Sequence, residues 1–191
     1  MHRACFGRAW AASGFGAWAV LVWGLTACAP LGPTTGSVAI PYRNPTAAIG
    51  VTSRYDDARF AGLWYVRGAY PVDADLRLVE RRADAPEGPL WTLTSRRCVS
   101  AGACVEGVAH WPAETDVPGA DVLSDPQGGP ARRAVVVWVD DGFRTAAVGG
   151  ADGRFAWVLD RAPRGGADRI AAGRQVLAFS GFDLKDMRMS P

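Results

Sequence analysis

Tyr55-Asp56-Asp57-Ala58-Arg59-Phe60-Ala61-Gly62-Leu63-Trp64-Tyr65 is the stretch where the chain changes character. Before it, residues 29–53 are rich in Pro, Gly, Thr and Ala and read as a flexible tether. A short helical turn is expected at Tyr55 to Phe60, and β-type sequence follows. Runs rich in β-branched or aromatic residues fall at 62–70, 76–82, 90–97, 104–111, 119–124, 132–139, 143–149 and 154–161. Turn chemistry separates them: Pro86-Glu87-Gly88-Pro89, Gly102, Asp125 to Pro130, Asp141-Gly142 and Asp152-Gly153. The fifth run is the weakest, because Pro112, Pro118 and Gly119 crowd it. One helix is expected afterwards, capped by Asp168, with Ile170, Val176, Leu177 and Phe179 at roughly helical spacing and Gly181 as its C-terminal cap. The tail after it carries no pattern, and no internal repeat is visible. Short strands at this spacing without intervening helices define an antiparallel sandwich or barrel. At eight strands a barrel interior is either filled by side chains or just wide enough for one small ligand. The pattern alone does not choose between them.

Charge narrows the function. Lys and Arg total 21 and Asp and Glu 19; without Arg3 and Arg8 of the leading segment the counts are 19 and 19. A neutral domain argues against nucleic acid, which rewards a basic stripe, and against a polybasic membrane-surface domain. The leading segment itself reads as an export signal: His2, Arg3 and Arg8 precede an uncharged apolar stretch from Ala9 to Ala27. A membrane-spanning helix is the competing reading of such a stretch. The segment ends Leu25-Thr26-Ala27-Cys28, which resembles the lipobox of bacterial lipoproteins. That resemblance implies removal of residues 1–27, a diacylglyceryl thioether on Cys28, and firm anchoring through two or more acyl chains. Ala29, in place of an Asp, favours the outer membrane with the domain facing the periplasm. Of the remaining cysteines, Cys98 and Cys104 flank a short loop, and in an oxidising compartment they are expected to pair. A zinc pair would need two further ligands, and the mature chain has a single histidine, His110. No metal and no cofactor are expected.

Three ordered blocks carry a second resemblance. Gly62 and Trp64 form the Gly-x-Trp that opens the first strand of lipocalins. Asp140-Asp141-Gly142-Phe143-Arg144-Thr145-Ala146 resembles that family's turn between the sixth and seventh strands, with Val139 and Phe143 where many relatives carry Thr and Tyr. Arg154 to Pro163 resembles the last strand with its terminal Arg161. The resemblance runs from about residue 54 to 185 and is closest to the bacterial outer-membrane lipoprotein lipocalins. It implies an eight-stranded up-and-down barrel with one helix outside, Trp64 plugging the closed end, and Arg161 lying across its indole. The same resemblance assigns Gly62, Asp140 and Phe143 to the closure. The domain is expected to span 54–185, followed by a tail at 186–191.

Strand alternation then selects residues that would face a ligand. With Trp64 inside, so are Val66, Gly68 and Tyr70; with Arg161 inside, so are Leu159, Trp157 and Phe155; Trp91 and Trp138 add aromatic wall. Core filling competes with ligand contact at each of them. His110 reads as a surface residue at a strand end, and Asp140-Asp141 as a turn and not as paired catalytic carboxylates. No nucleophile-elbow or phosphate-cradling glycine motif is present. The expected function is binding and storage or transport of a small hydrophobic ligand, a fatty acid such as palmitate or a lysophospholipid, without catalysis. Two alternatives stand beside it: an envelope interaction protein with a filled barrel, and a lipid-modifying enzyme.

Overall fold

The computed structural model describes residues 42–100 and 102–190. Eight antiparallel strands close into a barrel: β1 (Gly62–Ala69), β2 (Leu76–Arg82), β3 (Leu90–Ser100), β4 (Ala103–Val117), β5 (Ala120–Leu123), β6 (Arg132–Val139), β7 (Thr145–Gly150) and β8 (Ala156–Asp160). Each pairs with the next, and β1 closes the ring by pairing with β8 as well as with β2. The doubtful fifth strand exists but is short, because β4 runs on through Pro112. The β3 ladder ends at Leu90 opposite Pro112 and the β5 ladder begins at Ala113 opposite Leu123. The proline thus falls where β4 exchanges one partner for another, the place where a missing N–H costs least. The seventh strand starts at Thr145, two residues later than expected, because Phe143 sits in the turn at φ 51°.

Two apolar layers result. One fills the barrel. The other lies between its outer wall and helix α2 (Ala167–Phe179), which packs on β6, β7 and β8 through Ile170, Gly173 and Leu177. The helix is capped by the backbone of Gly166 at φ 71° and not by Asp168, which lies in its first turn. There a carboxylate still meets the positive end of the helix dipole. Gly181 follows the C-cap at φ 90°, the left-handed position read from the sequence. Helix α1 (Asp57–Phe60) is the expected short turn, with Asp56 accepting from the Arg59 N–H at 2.9 Å.

Both ends of the domain extend further than the sequence suggested. Of the expected tether, residues 42–53 are clasped against the barrel. Tyr42 stacks on Tyr70 at 4.0 Å, its N–H donates to Gly153 and its carbonyl accepts from Asp183. Arg43 is buried and donates to the Ser180 carbonyl, and Ile49 and Val51 join the outer apolar layer. Pro, Gly and Thr content signals a linker only where the apolar residues between them lack a seat, and here they have one. The tail is likewise ordered. Phe182 and Met187 are buried, and a ninth strand, β9 (Arg188–Met189), pairs with β1 outside the ring. The described residues within the segment Val38–Pro191 are therefore a compact unit with its own core. The leading segment 1–27, Cys28 and the tether up to residue 41 lie outside the described residues.

The closed end is built around Trp64 and Arg161. Trp64 is fully buried and its indole N–H donates to the Phe60 carbonyl at 2.8 Å. The Arg161 guanidinium lies 3.6 Å from the indole centre and donates to the carbonyls of Leu63, Arg59, Phe60 and Ala61. Gly62 adopts φ 93°, and a Cβ there would stand 3.4 Å from that guanidinium. Asp140 organises the neighbouring turn, accepting from the backbone N–H groups of Arg144 and Thr145 at 2.5 and 2.7 Å. Burial opposes its ionisation, but these bonds and the Arg144 guanidinium outweigh burial and hold the carboxyl below the ordinary carboxylate value. Asp140 therefore stabilises the fold above the unfolded carboxylate pKa, and that contribution fades as pH falls through its lower folded value. The Phe143 ring faces the Arg59 guanidinium at 4.0 Å.

Arg161→Ala strands several carbonyls at once and is expected to cost about 3–5 kcal/mol of stability in urea unfolding, with Arg161→Lys recovering less than half. An alanine variant as stable as the parent would show that the floor does not depend on this clamp.

Candidate functional site: the barrel mouth and its aromatic interior

Two β-bulges decide which side chains face the interior. In β1, Val66 pairs with Leu159 but Gly68 pairs with Val158, so Arg67 is an extra residue and the alternation inverts beyond it. Trp64 and Val66 face inward as expected, and then Ala69 does. Gly68 and Tyr70 do not. A Cβ on Gly68 would meet the Met189 sulfur at 2.9 Å, and Tyr70 lies in the outer layer, donating to the Asp183 carbonyl at 2.7 Å. In β6 the same inversion falls between Val136 and Trp138. Trp138 accordingly packs outside, 3.5 Å from the Cβ position of Gly173 on α2, while Val136 and Val139 face in. Trp91, Phe155, Trp157 and Leu159 are inside and fully buried.

The interior is a chain of aromatic rings. Phe60 lies 5.1 Å from Trp64 and 6.1 Å from Trp91; Trp91 lies 6.1 Å from Trp157, and Trp157 lies 4.7 Å from Phe155. Tilted rings at such separations are a favourable arrangement for aromatic pairs. One ion pair is buried with them. Arg81, 1% exposed, donates from Nε to Asp121 at 2.7 Å, and Asp121, 2% exposed, also accepts from the Trp91 indole and the Thr115 hydroxyl, each at 2.8 Å. Asp57 stands 2.8 Å from the same guanidinium and accepts from the Tyr55 hydroxyl. Burial works against the Arg81 charge, but the bond to Asp121 and its negative charge hold the guanidinium pKa above its ordinary value. This pair was missed from the sequence. Arg81 lies two residues from Val79 and Asp121 two from Leu123, both inward, so the signal was opposite charge at inward positions of two strands that only the closed barrel brings together.

At the open end the loop after β1 reaches over the interior. Asp73 accepts from the Trp157 indole at 2.8 Å and from Arg132 at 3.1 Å. The Arg132 guanidinium lies 5.0 Å from the Trp111 ring and 5.5 Å from Phe155. Beside this latch is a cleft of about 310 Å³ whose apolar wall is Leu76, Leu93, Ala109 and Trp111. The β3–β4 ribbon continues past it. The β2 ladder ends at Leu76 opposite Ser95, and the ribbon tip is bridged by the disulfide Cys98–Cys104, with Val99 and Val105 exposed. His110 lies on the exposed side of β4, its ring nitrogen 3.2 Å from the Thr92 hydroxyl. Among the described residues, no three His, Cys, Asp or Glu side chains gather at metal-holding distance.

No protein-family model and no curated protein matches the sequence. Solved structures do match. Lobster apocrustacyanin A1 is similar with a TM-score of 0.52 and 14% identity, over 71% of this chain and 78% of that one. Apocrustacyanin C1 is similar with a TM-score of 0.50 and 13% identity, over 69% and 77%. At these identities the likeness carries the fold alone. A closed eight-stranded antiparallel barrel with one C-terminal helix packed outside is the lipocalin fold.

The two tryptophans that the sequence grouped together should separate by mutation. Trp91→Phe leaves Asp121 short of a donor beside Arg81 and is expected to cost about 1–3 kcal/mol, whereas Trp138→Phe changes only outer packing and costs under about 1.5 kcal/mol. Equal losses in urea unfolding would contradict the buried network.

Proposed function

We propose that this protein is a lipid-anchored lipocalin of the cell envelope that binds a small hydrophobic ligand at the mouth of its barrel and does not transform it. The observation that carries this reading is the cleft beside the Asp73–Arg132 latch. It has a wall of Leu76, Leu93 and Trp111 edged by two ion pairs, Asp73–Arg132 and Asp75–Arg97. An apolar surface with few, fixed polar groups is the usual form of a small-molecule site, and about 310 Å³ lies at the low end of the range such sites span. A fatty acid such as palmitate, or a lysophospholipid, has the matching chemistry. Its acyl chain would gain about 25 cal/mol per Å² buried, before ordering costs. The Leu25-Thr26-Ala27-Cys28 motif supports an acylated Cys28, and Ala29 supports residence at the outer membrane with the barrel in the periplasm.

A second reading has its own support. The rings of Trp64, Trp91 and Trp157 occupy the barrel axis and are 0 to 1% exposed. An envelope lipoprotein whose barrel is a filled core, acting through its surface, has the same architecture.

Native mass spectrometry of the unit from Val38, challenged with palmitate and with lysophosphatidylcholine, separates the two. The expected result is a one-to-one adduct displaced by a competing lipid. A folded protein with no adduct would assign it to the second reading.

A further inference from the structure

The barrel wall is not closed along its whole height. The β1–β2 ladder runs from Gly62 opposite Arg81 to Tyr65 opposite Leu78 and stops there. Above it both strands depart from register: β1 bulges between Val66 and Gly68, and β2 between Leu76 and Leu78. The strands diverge, and β9 pairs with β1 on the side facing β2, at Gly68 opposite Met189 and Ala69 opposite Arg188. Gly68 makes this seat, since its missing Cβ leaves room for the Met189 side chain. Between β9 and the upper part of β2 remains a groove of about 520 Å³.

Three features give the groove a chemistry. Val66, Ala69 and Leu76 line it and also belong to the interior cluster, so one layer of side chains separates it from the aromatic interior. Leu76 and Asp75 line both this groove and the mouth cleft, so the two spaces adjoin across Leu76. At the outer lip stand Arg77 and Arg188, both exposed. Among the described residues neither makes an ion pair; Arg77 donates to the carbonyls of Ala74 and Leu76. Asp75, the acidic residue of the groove, is already paired with Arg97 at 2.8 Å.

We infer that the seam between β1 and β2 is the head-group site for an anionic amphiphile, whose carboxylate or phosphate meets Arg77 and Arg188 while its chain crosses Leu76 into the mouth cleft. This rests on the ligand-binding reading above and specifies it. The ligand lies across the upper wall of the barrel instead of descending its axis, which the tryptophans occupy. An acyl chain without an anionic head has the same apolar path but no partner at the lip. The Arg77 and Arg188 guanidiniums offer paired donors that suit a carboxylate or phosphate fork.

The test compares laurate with dodecanol, which share a chain and differ in the head, on the unit from Val38, by tryptophan fluorescence titration. Both arginines are exposed, so Arg188→Glu and Arg77→Glu are expected to fold. Each variant is expected to weaken laurate about tenfold and to change dodecanol less than about twofold. Equal responses of the two ligands, large or nil, would overturn the head-group site while leaving ligand binding intact. Failure of the parent to bind either ligand would overturn this inference together with the ligand-binding reading.

Discussion

A single guanidinium holds the floor of this barrel. Arg161 comes from the end of β8 and reaches the backbone that enters β1, covering the Trp64 indole and donating to four carbonyls of residues 59–63. Three of those carbonyls belong to a short helix and its exit, where strand pairing does not reach, and the fourth, of Leu63, lies on β1 ahead of its first β8 pair at Tyr65. A planar fork that cannot lose its proton at physiological pH is suited to satisfy them together. Because β1 is also the strand that closes the ring, fixing its entry fixes the register of both β1–β2 and β1–β8. The Asp140 turn sits at the same end and orders β6 against β7 through the Arg144 and Thr145 amides. The rest of the barrel can then vary: a short β5, an overlong β3–β4 ribbon and an open upper seam are all tolerated above a fixed floor.

The same geometry explains what was legible in the sequence. Strand positions were readable because each run is bounded by turn residues, and the floor was readable because Gly62, Trp64, Asp140 and Arg161 sit in local motifs. Inward facing was readable only up to a bulge. Val66 was placed correctly and Gly68 and Tyr70 were not, because one extra residue at Arg67 turns the strand over. Trp138 failed for the same reason in β6. A bulge leaves no mark in a single sequence when neither Gly nor Pro supplies it. The buried Arg81–Asp121 pair was invisible for another reason: its partners are 40 residues apart and meet only across the closed ring. The clasp of residues 42–53 hid behind composition, since Tyr42, Ile49 and Val51 are sparse among linker residues yet each finds a seat on the outer wall.

The interior departs from the picture of a hollow cup. Trp91 and Trp157 are not loose rings in a cavity: each indole N–H is spent on a carboxylate, Asp121 in one case and Asp73 in the other. Moving either ring would take one hydrogen-bond donor away from its carboxylate, a cost of about 1 kcal/mol or more that a ligand entering the axis would have to offset. The available apolar surface therefore lies higher, at the mouth and along the open seam. A filled lower barrel rigidifies the wall that would carry the proposed shallow site, and rigid elements position binding groups better than loops do.

The central claim is that the aromatic interior stays closed and that binding happens above it. The indole N–H resonances of the unit from Val38, followed during a laurate titration, test it most directly. The account predicts that the Trp111 resonance moves while those of Trp91 and Trp64 stay in place. Large shifts at Trp91, with loss of its protection from exchange, would contradict it and return the ligand to the barrel axis.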